Sequence, residues 1–122
     1  MNQQETESLQ KIQINLGSSG FEELVIEAVD QTFTNLGLKV KQVFYYFLEN
    51  HYKLSKMDIP NRIGDFVEAL EKVFGTSALL IEIDVLRSLQ QRVPSFTYLQ
   101  ERSELSFESY LASLKHHVEN LN

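Results

Sequence analysis

The sequence has no cysteine, no tryptophan and only two prolines. Without cysteine, neither disulfides nor thiolate metal sites can form. A membrane-spanning helix needs roughly 18 consecutive apolar residues, and every apolar run in this chain is much shorter. The first ten residues are polar and include two glutamates, whereas a signal peptide opens with basic and then apolar residues. We therefore predict a cytoplasmic protein with no membrane partner.

Basic residues are also scarce, since 11 lysines and arginines face 17 acidic residues and the net charge is −6. This excess negative charge disfavours binding to nucleic acid or anionic lipid. The segment 38–62 differs, with a net charge of +3. Its basic residues are Lys39, Lys41, Lys53, Lys56 and Arg62. They leave open an alternative function as a nucleic-acid-binding transcriptional regulator.

The spacing of apolar residues predicts the fold. Apolar side chains recur every three or four positions, as on one face of a helix, and they make up 43% of the chain. We predict an all-α fold, a compact bundle of about five helices with short links. The helices are expected at about 20–36, 38–51, 60–75, 77–92 and 106–120. Residues 1–18 are interpreted as a flexible or loosely docked N-terminal segment, and residues 19–122 as a single helical domain.

Helix ends are indicated by capping residues. Ser19 is expected to cap helix one and Ser106 the last helix, while Thr76 or Ser77 is expected to cap helix four. Gly37 is a predicted stop, as is the glycine that ends helix three. Pro60 is predicted at the first position of helix three, where its missing N–H group costs nothing.

Two helices are expected to be extensively buried. Helix two carries aromatic residues on several sides, and one apolar face is expected to combine Val40, Val43, Phe44, Phe47, Leu48 and His51. It is therefore predicted to bury much of its circumference. The first half of helix four is apolar nearly all round, which is typical of a central helix surrounded by the others.

Residues suited to catalysis or metal binding are few. His116 and His117 are adjacent, so on a helix they point about 100° apart and cannot chelate one ion. His51 has no neighbouring histidine. The chain has neither a nucleophile elbow nor a glycine-rich phosphate loop. We predict no metal, no cofactor and no enzymatic activity.

Two carboxylates interrupt the apolar part of helix four. Glu82 and Asp84 are two positions apart, so they point in nearly opposite directions and do not form an acid–base pair. They are interpreted as partner contacts at the exposed edge of this helix. If one of them is buried, its pKa should rise, and a small-molecule pocket between helices two and four becomes the alternative.

The tyrosines of helix two point to an interaction surface. Four consecutive aromatic residues, 44–47, cannot all face one small core, and tyrosine is common at protein interfaces. We predict that Tyr45, Tyr46 and Tyr52, with Glu82 and Asp84, contact a protein partner. A second copy of the chain, forming a homodimer, is the preferred partner.

Residues 21–93 resemble a small archaeal family of helical modules, the Nitrosopumilus output domains. The resemblance lies in Leu36-Gly37, Tyr45-Tyr46 ahead of Leu48-Glu49, Ile59-Pro60, Phe66, Ala69-Leu70-Glu71, and Phe74-Gly75 followed by Ala78. These are mostly packing, proline and glycine positions, so the resemblance implies a helical fold. It also implies a role as an output or partner in archaeal signal transduction, with no catalytic residues. The leading prediction is thus a non-enzymatic protein-interaction or signalling output module.

Overall fold

The computed structural model describes residues 20–96 and 106–121, which form five α-helices and no strand. In chain order the helices are α1 (Gly20–Leu36), α2 (Leu38–Tyr52), α3 (Ile63–Phe74), α4 (Ala78–Arg92) and α5 (Phe107–Glu119). Two 3₁₀ segments, Lys56–Asn61 and Gly75–Ser77, lie on either side of α3. The predicted all-α bundle is confirmed. The N-terminal segment 1–18 and the proposed capping residue Ser19 lie outside the described residues.

A single glycine separates α1 from α2. The N–H group of Gly37 donates to the carbonyl oxygens of Phe33 and Thr34, at 3.1 and 3.2 Å, and so closes α1. Gly37 has a φ of 125°, which residues with a side chain rarely adopt. The chain can therefore turn within one residue and start α2 at once, and Gly37 ends α1 as predicted from the sequence.

The central helix is α1, which contacts α2, α4, α5 and the first 3₁₀ segment. Val25, Ala28, Val29 and Phe33 on α1 are fully buried. The prediction that helix four is central is wrong.

The apolar residues at the start of α4 do not all face the core. Leu79 and Leu80 are 56% and 64% exposed. Only the residues with three-or-four spacing are buried, among them Ala78, Ile81 and Val85, because α4 packs on one side.

The prediction that helix two is largely buried is also wrong. Among its residues, only Phe44 and Leu48 are buried. Val43 and Tyr46, which lie outside this buried stripe, are 64% and 71% exposed. Because α2 packs against α1 and α3 on one side, its other side faces solvent.

Phenylalanine side chains join α1, α2 and α3 at the core. The rings of Phe33 and Phe44 stack with centroids 4.7 Å apart and planes 6° apart. Phe74 lies 5.5 Å from Phe44, and Phe66 meets Phe44 edge-on at 6.0 Å. Offset stacked and edge-on contacts are the favoured arrangements of aromatic rings. This cluster fixes the inner side of α2 and so determines which residues face outward.

The capping predictions have mixed outcomes. Ser106 caps α5 as predicted, since its Oγ accepts a hydrogen bond from the N–H group of Ser109 at 3.2 Å. Pro60 does not start α3. It lies within the first 3₁₀ segment, and Arg62 occupies the N-cap position of α3. Ser77 gives α4 no side-chain cap, because the second 3₁₀ segment leads directly into that helix.

None of the described helices combines the length and apolar character that crossing a lipid bilayer would require.

Candidate protein-interaction surface

The inner side of α2 is fixed by a polar junction around Asp30 of α1. Lys41 and Lys56 donate to the Asp30 carboxylate at 3.0 and 3.3 Å, and the Tyr45 hydroxyl donates at 3.1 Å. Burial would raise the pKa of Asp30, but the three hydrogen bonds and the charge of Lys56 outweigh it and lower that pKa. The junction connects α1, α2 and the first 3₁₀ segment.

The three tyrosines predicted to bind a partner occupy different environments. Tyr45 is half-buried, and burial together with the nearby charge of Asp30 raises its pKa. Tyr52 donates to the Glu68 carboxylate at 2.9 Å, and its ring lies beneath the Lys72 ammonium group. Tyr46 is mostly exposed. The structure therefore directs two of the three tyrosines towards this chain's own residues and leaves one facing solvent.

The exposed side of α2, which we call the outer face, is centred on a continuous row of side chains. Lys39, Val43, Tyr46 and Asn50 follow one another at intervals of four, three and four residues, so they lie along one side of the helix. Gln42 and Glu49 are exposed beside this row. The outer face of α2 therefore comprises Lys39, Gln42, Val43, Tyr46, Glu49 and Asn50. It has an apolar centre with a basic residue at one end and an acidic residue at the other.

An apolar groove adjoins the outer face where α2 meets the end of α3. Its volume is about 310 Å³. The groove is lined by Lys39, Val40, Val43, Phe44, Val73 and Phe74. Val43 belongs to both features, and Val40 and Val73 are also exposed there. A solvent-facing apolar groove beside an exposed tyrosine is a typical feature of protein-binding surfaces.

Most of the basic residues in segment 38–62 have intramolecular partners. Lys41 and Lys56 pair with Asp30. Arg62 donates to the Asp65 carboxylate at 2.9 Å and to the carbonyl oxygens at positions 52 and 53, at 2.8 and 3.0 Å. Within the described residues, Lys39 and Lys53 have no ion pair. The basic residues therefore do not form one positive patch available to phosphate groups.

Glu82 and Asp84 do not share a site. Glu82 is partly buried, and burial, with the charges of Glu71 and Glu108, raises its pKa. Asp84 is exposed and accepts a hydrogen bond from Arg87 at 3.0 Å. An open groove of about 280 Å³ includes Asp84 but not Glu82. It lies between α1 and α4, whereas the alternative prediction placed a pocket between helices two and four.

His51 lies far along the chain from the adjacent pair His116 and His117, and each of the three histidines contacts a different residue. His51 stacks on Phe47 with ring centroids 4.3 Å apart. His116 contacts Asn120, and the Nε2 atom of His117 lies 3.1 Å from the Ser95 hydroxyl. No group of three histidine, aspartate or glutamate side chains that could hold a metal ion occurs in the described part of the chain.

Sequence reasoning placed Val40 and Val43 in the core, and so missed the groove. The predicted helix face contained Val40, Val43, Phe44, Phe47, Leu48 and His51. Around the helix axis these residues spread over about 140°, with Val43 and Leu48 at the two limits, and one neighbouring helix cannot cover so wide an arc. That width was the available signal that some of these side chains face solvent.

Comparisons of the chain with protein-family models, curated proteins and solved structures find no match.

Proposed function

We propose that this chain is a non-enzymatic protein-interaction module that binds its partner through the outer face of α2 and the adjoining apolar groove. The observation that carries the proposal is the exposure of Val43, which lies both on the outer face and in the groove. The free energy falls when a partner removes exposed apolar side chains beside a groove from water, and this favours binding. The groove suits an apolar side chain projecting from a partner helix.

The fixed inner side of α2 supports this role. Stacked phenylalanines and the Asp30 junction hold the helix against α1, so its outer face needs no rearrangement before binding. A preorganised surface loses less conformational entropy on association than a mobile one. We include a signalling output role in the proposal because of the resemblance to the archaeal output domains. Two residues carry part of that resemblance. Gly37 ends α1, and Leu48 packs in the core.

Val43→Glu tests the proposed surface directly. A carboxylate at this position would have to be buried without a partner when the complex forms, so binding should weaken about tenfold or more. Met57→Glu is the matched control, because Met57 is also 64% exposed but lies on the first 3₁₀ segment.

The measurement is affinity capture from an extract of the cells that contain this protein, followed by quantitative mass spectrometry. We expect Met57→Glu to retain the proteins captured by the unmodified chain and Val43→Glu to lose them. Thermal unfolding of both variants checks that the fold is intact. Equal capture by two folded variants would remove the outer face of α2 from the proposal.

A further inference from the structure

We propose that the partner is a second copy of this chain, bound outer face to outer face with the two α2 helices antiparallel. The inference rests on the proposed function, and it names the partner and the register of the contact. Closed dimers have two-fold symmetry, so a contact from residue i to residue j occurs twice. A dimer formed through the outer face therefore requires this face to be complementary to itself.

The apolar centre of the outer face fits a two-fold axis between positions 44 and 45. Val43 and Tyr46 lie at equal distances along the helix on either side of that point. In an antiparallel pair, Val43 of each copy then faces Tyr46 of the other copy. Because Val43 also lines the apolar groove, the Tyr46 ring of the second copy lies at the mouth of that groove. Each copy thus removes the exposed valine and tyrosine of the other from water.

The charges at the two ends of the outer face select the antiparallel direction. Under the same axis, Lys39 of one copy lies opposite Asn50 and beside Glu49 of the other. Both Lys39 and Glu49 are exposed, and among the described residues neither has an ion-pair partner in its own chain. A parallel pair would instead place lysine near lysine and glutamate near glutamate, which is repulsive.

The start of α2 adds a second electrostatic match. Its first turn has no acidic residue, and Gly37 offers no side-chain cap. The exposed N–H groups at a helix start carry a partial positive charge and favour a nearby carboxylate. Glu49 of the second copy reaches this turn in the antiparallel arrangement and provides that carboxylate.

The charge of the outer face also allows two acidic chains to approach each other without direct repulsion at this surface. The whole chain has a net charge of −6, but the outer face contains one lysine and one glutamate and is neutral. One helix pair buries less than the roughly 800 Å² per partner of a standard interface. We therefore expect a weak dimer, with a dissociation constant in the micromolar range or above.

Charge reversal tests the register. Lys39→Glu and Glu49→Lys should each weaken self-association about tenfold, because the two-fold axis makes each substitution create two repulsive contacts. When the two single variants are mixed in equal amounts, both cross-copy contacts again join opposite charges, and dimers between the variants should form. The double variant, with both charges reversed on one chain, should also dimerise.

Sedimentation equilibrium from micromolar to millimolar protein measures these associations. Lys115→Glu and Glu119→Lys on α5 make the same charge changes away from the outer face and should leave self-association unchanged. A mixture that associates no better than either single variant would overturn the antiparallel pairing. A chain that is monomeric throughout would also overturn it, and the proposed function would still stand if Val43→Glu abolished capture of a different protein.

Discussion

The Tyr45 hydroxyl donates a hydrogen bond to the Asp30 carboxylate at 3.1 Å. This contact ties Tyr45 to the fold, whereas its neighbour Tyr46 faces solvent. Asp30 also accepts hydrogen bonds from Lys41 and Lys56, so one carboxylate joins two helices and the segment that follows them. Its side chain is 30% exposed, and desolvation is therefore only partial. The three donors satisfy the charge that burial would otherwise penalise.

Asp30→Asn is expected to destabilise the fold. The amide keeps the shape of the carboxylate but loses its charge, so the hydrogen bonds from both lysines weaken. We expect a loss of about 1–2 kcal/mol in the free energy of unfolding, measured by urea denaturation. Asp84→Asn is the control, because Asp84 forms an exposed pair with Arg87 and should change that free energy by less than about 0.5 kcal/mol. Similar losses in the two variants would contradict the junction.

The contribution of the Asp30 carboxylate to the free energy of unfolding should depend on pH. The pKa of Asp30 is lowered in the folded chain, so its stabilising contribution is complete above the unfolded value of about 3.9 and is lost as the pH falls through the lower folded value. The stability difference between the unmodified chain and Asp30→Asn should therefore be constant near neutral pH and shrink below about pH 4. A difference that grew on acidification would contradict the lowered pKa.

Tyr45 and Tyr46 should respond oppositely to substitution. Tyr45→Phe removes one donor from Asp30 and should cost about 1 kcal/mol in unfolding free energy, with little effect on association. Tyr46→Ala removes a side chain that is 71% exposed and should alter stability by less than about 0.5 kcal/mol while weakening association. Urea denaturation and sedimentation equilibrium provide the two measurements. If Tyr46→Ala unfolds the chain instead, Tyr46 belongs to the core.

The helices were predictable from the sequence because their signals are local. Three-or-four spacing gave the extent of α1, Gly37 gave its end, and Ser106 gave the start of α5. The outward side of α2 was not predictable in the same way. Val43 and Phe44 are adjacent and both apolar, and only the packing of α1 and α3 decides which of them is buried.

The polar junction and the first 3₁₀ segment were also missed. Asp30 is 11 residues from Lys41 and 26 from Lys56, so no sequence pattern connects them. Pro60 fits the start of an α-helix as well as a 3₁₀ turn, because its fixed φ suits both. The Asp30 contacts join residues distant in sequence, and the first 3₁₀ segment packs against α1, so both features depend on the assembled bundle.

Phe44 and Val43 provide a direct test of which side of α2 is buried. Phe44→Ala removes a ring that stacks on Phe33 and contacts Phe66, so it should cost about 3–5 kcal/mol in unfolding free energy. Val43→Ala should change that free energy by less than about 0.5 kcal/mol, since Val43 is mostly exposed. Urea denaturation of both variants measures the difference. Comparable losses at the two positions would place Val43 in the core and remove the groove.

Arg62→Lys tests whether the basic segment serves the fold. The Arg62 guanidinium group binds the carbonyl oxygens of Tyr52 and Lys53, where α2 ends, and also the Asp65 carboxylate in the first turn of α3. A lysine keeps the charge but cannot direct donors to all three groups at once, because its ammonium group lacks the planar fork of arginine. We expect the free energy of unfolding to fall by about 1–2 kcal/mol.

Arg87→Lys is the matched control for this substitution. Arg87 forms only an exposed pair with Asp84, so its replacement should cost less than about 0.5 kcal/mol. Electrophoretic mobility of a DNA duplex at low salt adds a second measurement with Arg62→Gln, because removing a charge that binds phosphate weakens retardation. If Arg62→Lys left stability unchanged and Arg62→Gln weakened retardation of the duplex, Arg62 would serve nucleic-acid binding rather than the α2–α3 connection.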